Sequence, residues 1–177
     1  MVRVSVVIPA YNEEKLLPAT LAAVDQARAA WTRRGWDSEV VVCNNNSTDR
    51  TAALAEAAGA RVVFEPHNGI ARARNAGARA ARGGWILFLD ADSRPSPELF
   101  AAVAEAIDSG RVLAGGTILR MDSGGRLVQA LAHAWNQLSR LTGWMAGAFI
   151  FVDAQVFHEI GGFADRLYAS EEVDLAR

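Results

Sequence analysis

Strand-like and helix-like segments alternate along residues 1–110, and this alternation restricts the fold more than any other feature of the chain. Apolar, β-branched runs typical of buried strands occupy residues 2–8, 39–43, 61–64 and 85–89. Turn residues follow each run, and segments with apolar residues at helical spacing come next, at residues 13–31, 47–59, 69–82 and 96–109. The pattern predicts an α/β fold with a mostly parallel sheet flanked by helices.

The pattern is less regular after residue 110. Strands are predicted at residues 111–119 and 149–152, and helices at residues 126–142 and 154–160. The last residues, from Ser170, are typical of the first turn of a helix. We therefore expect the native protein to continue beyond Arg177.

The composition narrows the class of protein and the kind of site. The chain has 177 residues, of which 51% are hydrophobic, which suits a single folded domain. A net charge of −2 gives no broad basic surface, so we expect no nucleic-acid partner. The single cysteine, Cys43, excludes an intramolecular disulfide and a cysteine-rich metal site. No apolar run reaches the roughly 20 residues that span a bilayer, so we expect a cytoplasmic location.

Two carboxylates, Asp90 and Asp92, stand at the end of the fourth strand-like run, where parallel sheets bind their ligands. Residues two apart in an extended chain point to the same side, so both acids face one place. Their repulsion would be relieved by a divalent cation, and Mg²⁺ prefers one or two protein carboxylates together with substrate phosphates. The motif predicts that Asp92, helped by Asp90, holds a metal that also binds a diphosphate. The alternative is a pair of acids in a solvated turn before a helix that Ser96 caps.

Arg74 lies on the same stripe of its predicted helix as Ile70 and Gly77. If that stripe faces the sheet, Arg74 is buried and needs an anion, either a phosphate or one of the two aspartates. We interpret Arg72, Arg79 and Arg82 as a solvated face.

Two further turns carry residues suited to a nucleoside. Tyr11 can stack on a base, and Asn44, Asn45 and Asn46 can bond to a base edge. Tyrosines in turns usually only pack against the protein, and asparagines are ordinary turn formers.

Six segments together resemble family 2 glycosyltransferases, a large inverting group with the Rossmann-like A-type nucleotide-diphospho-sugar transferase fold. They are VSVVIPAYNE, NNNSTDRT, GIARARNAG, WILFLDADS, GGF and SEEVDL, and they span nearly the whole chain in the family's order. The resemblance implies one glycosyltransferase domain over residues 1–177. Residues 1–110 would form its nucleotide-sugar-binding half, and residues 111–177 its acceptor-side half, truncated at the C-terminus.

The resemblance also implies roles for individual residues. The metal and diphosphate would be bound by Asp90, Ala91 and Asp92, with Asp92 as the direct ligand of Mg²⁺ or Mn²⁺, and Arg74 would contact the nucleotide. Glu172, in the acidic pair Glu171–Glu172, would be the general base. The nucleoside would be bound by Pro9, Ala10, Tyr11, Glu13, Asn44 and Asn45.

The implied reaction is a single displacement. Glu172 removes a proton from an acceptor hydroxyl, which attacks the anomeric carbon of the donor sugar and inverts its configuration, while the metal and Arg74 stabilise the leaving diphosphate. Trp135, Trp144 and residues 115–147 would line the acceptor side. The acceptor would be a glycan, a lipid-linked sugar or a small molecule, and a lipid-linked acceptor would bring the protein to the inner face of the membrane.

The chain departs from the family pattern at two places. Asn44 and Asn45 replace aspartates that many members have, and Glu172 stands where an aspartate is usual. These departures keep open a scaffold of the same fold that binds nucleotide sugars without turnover. A sugar-phosphate nucleotidyltransferase is a further alternative, although the glycine-rich phosphate loop it favours does not follow the first strand.

Overall fold

The computed structural model describes residues 2–116 and 148–164, and these form a six-stranded sheet flanked by helices. The strands lie side by side in the order β3-β2-β1-β4-β6-β5. Their bounds are β1 Val2–Ala10, β2 Asp37–Asn44, β3 Arg61–Phe64, β4 Trp85–Leu89, β5 Ala114–Gly116 and β6 Phe149–Asp153. The helices are α1 Leu17–Thr32, α2 Thr51–Ala57, α3 Ile70–Ala80, α4 Pro97–Asp108 and α5 Ala154–Glu159.

The first four strands are parallel to one another, as the alternation predicts. The last two are antiparallel to their neighbours, because β6 pairs with β4 and β5 pairs with β6. The α/β fold with a mostly parallel sheet is therefore confirmed. Since β1, β2 and β4 run in the same direction, their carboxyl ends meet at one edge of the sheet.

Each face of the sheet is covered by its own helices. On one face, α1 and α4 pack over alternate residues of β1 and β4, and Trp31 of α1 stacks on Phe100 of α4 with ring centroids 4.2 Å apart. On the other face, α3 and α5 cover the strand residues that alternate with these, and Phe88 lies at the centre of an aromatic cluster. Burial on both faces explains why β4 is a nearly continuous apolar run.

Two helix starts differ from the sequence prediction. Helix α1 begins at Leu17 instead of residue 13, and α2 begins at Thr51 with no cap from the side chain of its preceding residue. Asp49 binds the first turn of α2 instead, because its carboxylate accepts from the backbone N–H of Thr51 at 2.9 Å. The predicted cap of α4 is confirmed, since the Ser96 hydroxyl accepts from the backbone N–H of Leu99.

Several predictions for the second half lie outside the described residues. They are the end of the strand at residues 117–119, the helix at residues 126–142, the two tryptophans Trp135 and Trp144, and the helix after Ser170. In the part of the chain that is described, no helix has both the length and the apolar character needed to cross a membrane.

Gly83 allows a close approach of two chain segments at the amino end of the sheet. A Cβ at this position would lie 2.6 Å from the backbone nitrogen of Ser5, and the Ser5 hydroxyl also accepts from the Gly83 N–H at 2.9 Å. We expect Gly83→Ala to lower the free energy of unfolding by about 1–3 kcal/mol, the usual cost of overpacking. Urea denaturation measures it, with Gly84→Ala as the control, because a Cβ there has its nearest neighbour 4.0 Å away. Equal losses in the two variants would contradict the close approach.

Cys43 is buried in β2 beneath α3. Burial, with a smaller effect from the nearby Glu65 carboxylate, raises the pKa of the Cys43 thiol to about 12. Since the thiolate is the reactive form, we expect Cys43 of the folded protein to resist a thiol-reactive dye at pH 8 and to react on addition of denaturant. Rapid labelling without denaturant would show that β2 is accessible.

Candidate functional site

A cavity of about 600 Å³ lies at the carboxyl edge of the parallel strands. It brings together most of the residues selected from the sequence, which come from the turns after β1, β2 and β4. These are Pro9, Ala10, Tyr11, Glu13, Asn45, Asp90, Ala91 and Asp92. The volume falls in the range of cavities that bind small molecules and cofactors.

Arg74 is buried and binds Asp90. The side chain of Arg74 is only 3% exposed, and its Nη2 donates to Asp90 Oδ1 at 3.0 Å. The aspartate considered as a partner for Arg74 is therefore confirmed, and contact with a phosphate stays a prediction. Gly77 faces the sheet as predicted, with Val7 directly beneath it, but Ile70 is 41% exposed and lines the cavity instead. Ile70 does not face the sheet, because it is the first residue of α3 and lies beyond the edge of the sheet.

Asp92 is exposed, in contrast to Asp90. The turn that carries it is fixed from below, because the buried Thr20 of α1 donates its hydroxyl to the Ala91 carbonyl at 2.6 Å. Burial raises the pKa of Glu13, and the negative charges of Asp92, Asp49 and Asp90 raise it further. Negative charge is therefore concentrated on this side of the cavity, although Arg74 already balances part of it.

A divalent cation fits these residues as a partner shared with a ligand. Among residues 2–116 and 148–164, no group of three or more His, Cys, Asp or Glu side chains is placed to hold a metal by itself. Asp92 offers one exposed carboxylate, and Asp90 has one oxygen bonded to Arg74. Mg²⁺ and Mn²⁺ accept such a site when phosphate oxygens complete their coordination.

The turns after β1 and β2 are joined to each other by side chain to backbone hydrogen bonds. Asn12 Oδ1 accepts from the Thr48 N–H at 2.8 Å, and the Asn12 N–H donates to the Ser47 hydroxyl. The Glu13 N–H donates to Thr51 Oγ1 at 2.8 Å, and the Glu14 N–H to Asp49 Oδ2 at 3.1 Å. These contacts fix the segment beside Tyr11, which is 52% exposed.

The charge of Asp49 is favoured by these contacts. Slight burial acts to raise the pKa of Asp49, but hydrogen bonds from the Thr51 hydroxyl, the Thr51 N–H and the Glu14 N–H together lower it. Asp49 is therefore ionised at neutral pH and available to hold both turns.

Asn44 and Asn45 have different environments. Asn45 is 5% exposed, and both hydrogens of its amide are bonded, to the carbonyls of Glu65 and His67. Its oxygen accepts from the Gly69 N–H at 2.8 Å, which leaves one lone pair for a ligand. Asn44 does not line the cavity, and its side-chain oxygen accepts from the Ser47 N–H. Their predicted role in base recognition stays a prediction.

The loop before α3 and its first turn, residues 68–73, also line the cavity and were missed as site residues from the sequence. Arg72, assigned from the sequence to a solvated face, is half-buried here, whereas Arg79 and Arg82 are exposed as predicted. The turn signal His67-Asn68-Gly69 could have located this loop. The predicted base, Glu172, and its neighbour Glu171 lie outside the described residues.

Relatives of the chain carry glycosyltransferase names. An uncharacterized glycosyltransferase of Mycobacterium tuberculosis strain H37Rv is 41% identical over 114 residues, which are 64% of this chain and 47% of the relative. An undecaprenyl-phosphate 4-deoxy-4-formamido-L-arabinose transferase of Pseudomonas aeruginosa is 35% identical over 119 residues, which are 63% of this chain and 34% of the relative. The chain thus spans about half, or less, of the length of these relatives.

Solved structures share the fold. S. aureus TarS superposes with a TM-score of 0.76 at 20% identity, over 98% of this chain and 32% of TarS. Glucosyl-3-phosphoglycerate synthase from M. tuberculosis superposes with a TM-score of 0.64 at 23% identity, over 88% of this chain and 58% of the synthase. Their architecture is the A-type glycosyltransferase fold. The sequence profile of glycosyl transferase family 2 matches residues 5–164, and the chain belongs to this family.

Proposed function

We propose that the chain is the donor-binding part of an inverting glycosyltransferase that moves a sugar from a nucleotide-diphospho-sugar to an acceptor hydroxyl with the help of a divalent cation. The observation that carries the proposal is the difference between the two aspartates. Arg74 binds and partly neutralises Asp90, whereas Asp92 stays exposed in the cavity and forms no ion pair within residues 2–116 and 148–164. The Asp90 carboxylate is bonded within the protein, and the Asp92 carboxylate is available to a cation that also binds a diphosphate.

The positions of the lining residues support the same ligand. Tyr11 provides an exposed aromatic ring for the base on the fixed pair of turns after β1 and β2. Arg72 provides a half-buried positive charge among the residues that line the cavity. A cavity with an aromatic ring, a cation and an exposed carboxylate suits a nucleoside diphosphate better than a neutral sugar.

In the proposed reaction, each charged group has a separate task. Glu172 takes the proton of the acceptor hydroxyl as the oxygen bonds to the anomeric carbon and the bond to the nucleoside diphosphate breaks. Asp92, with Asp90, would hold the cation, which supplies Lewis-acid stabilisation of the negative charge on the departing diphosphate. Arg74 keeps Asp90 in place and adds positive charge beneath the same turn.

The nucleotide is tested with a thermal-shift panel of uridine, guanosine and thymidine diphospho-sugars, each with Mn²⁺ and with a chelator. Uridine comes first, because solved relatives of this fold include TarS in complex with UDP-GlcNAc and the glucosyl-3-phosphoglycerate synthase in complex with Mn²⁺ and UDP. We expect a metal-dependent rise in melting temperature for one base. The same shift in chelator for every nucleotide would contradict the proposed site, and so would no shift at all.

A further inference from the structure

The side-chain amide of Asn75, on α3, binds the backbone of a residue far away in the sequence. Its Oδ1 accepts from the Phe163 N–H at 3.0 Å, and its Nδ2 donates to the Phe163 carbonyl at 2.8 Å. One amide thus bonds both polar groups of a single residue, 88 positions further along the chain. Such a pair of bonds fixes the position and the direction of the chain at Phe163.

The turn before Phe163 is shaped to reach this amide. Gly162 has φ +75°, which strains any residue with a Cβ, and a Cβ there would lie 2.6 Å from Asn75 Oδ1. Glycine is therefore required at position 162 both by the backbone conformation and by the contact with Asn75.

Phe163 is buried between β4 and α3. It is 2% exposed and packs edge-on against Phe88 of β4, with ring centroids 5.0 Å apart. The guanidinium of Arg74 lies 5.3 Å from the centre of the same ring, and Arg74 also binds Asp90. Two consecutive residues of α3 therefore contact Phe163: Asn75 bonds its backbone, and Arg74 lies over its ring.

We propose that Asn75 is a positioning residue that fixes the Gly162–Phe163 turn, which follows α5, against the Asp90–Asp92 turn, and so fixes the point from which the chain continues to the proposed base. The inference rests on the proposed function, in which the base Glu172 lies nine residues beyond Phe163. Asn75 does not line the cavity that would bind the donor. Its loss should therefore slow turnover without weakening donor binding.

The test compares Asn75→Ala with Asn75→Asp and with the control Gln155→Ala, which removes an exposed amide from α5. The probe is the diphospho-sugar that the thermal-shift panel selects, with Mn²⁺ and with water as the acceptor. For Asn75→Ala we expect donor hydrolysis to fall about tenfold to a hundredfold, the effect of a misplacement near 1 Å. The dissociation constant of the nucleoside diphosphate, measured by calorimetry, should stay within about twofold.

Amide hydrogen exchange at Phe163 separates the contact from the reaction. We expect the Phe163 N–H to exchange faster in Asn75→Ala, because its acceptor is gone, and to stay protected in Asn75→Asp, whose carboxylate still accepts. Asn75→Asp should therefore recover part of the hydrolysis rate, and Gln155→Ala should match the unaltered protein. If Asn75→Ala does not fold, Asn75→Asp still tests the lost bond to the Phe163 carbonyl through the same rates and affinities.

Two results would overturn the inference. One is full hydrolysis in Asn75→Ala, and the other is a loss of nucleotide affinity as large as the loss of rate, which would place Asn75 in the donor site. If the unaltered protein neither binds nor consumes a donor, the proposed function fails, and the exchange rate of Phe163 then decides by itself whether Asn75 holds the turn.

Discussion

Asp92→Asn is expected to reduce donor turnover by about a hundredfold to a thousandfold, comparable to the loss of a principal electrostatic contact in an active site. The reason is that Asp92 is the exposed carboxylate of the cavity, and an amide oxygen binds a divalent cation much more weakly than a carboxylate does. Donor hydrolysis measured over a series of Mn²⁺ concentrations gives the result. Raising the metal concentration should recover part of the activity.

Stability should change little in the same variant. Asp92 is exposed, and surface substitutions of this kind usually change the free energy of unfolding by less than about 0.5 kcal/mol. A loss of turnover that metal does not relieve, together with unchanged stability, would contradict the assignment of Asp92 as a metal ligand.

Asp90→Asn is expected to lower the free energy of unfolding by about 3 kcal/mol, unlike Asp92→Asn. The substitution removes the carboxylate charge that the Arg74 guanidinium, which is 3% exposed, binds at Asp90, and breaking a buried ion pair costs about 3–5 kcal/mol. We expect the lower end of this range because the Asp90 side chain is 32% exposed. Urea denaturation at neutral pH measures the change.

Asp92→Asn is the matched control for this experiment, since it makes the same chemical change two positions away. Equal stability of the two variants would show that the ion pair between Arg74 and Asp90 contributes little. If both variants instead lose the same free energy of unfolding relative to the unaltered protein, the whole turn after β4 depends on its negative charge.

Features that depend on local spacing could be predicted from the sequence. Strand β4 was placed correctly because residues buried on both faces form an uninterrupted apolar run, and the burial of Arg74 followed from the helical repeat through Gly77. The position of the cavity at the end of β4 followed from the rule that parallel strands place their carboxyl ends at one edge.

Features that depend on contacts between distant segments could not be predicted. The involvement of Asn45 with the carbonyls of Glu65 and His67 requires the position of a loop about 20 residues later. The start of α2 depends on Asp49, which bonds both its own helix and the turn after β1. The choice of Asp90 as the partner of Arg74 needed the packing of α3 on β1 and β2.

The bonds between the turns after β1 and β2 have a consequence for engineering. Asn12, in the turn after β1, accepts from the backbone of the turn after β2, and Asp49, after β2, accepts from the backbone of the turn after β1. Each turn therefore depends on the other for its conformation. An attempt to change the proposed nucleotide preference with loops from a relative would therefore need to replace both segments, residues 11–14 and 45–51. Both should come from the same relative. A chimera that mixes the two origins would lose the cross-bracing that keeps Tyr11 beside the cavity.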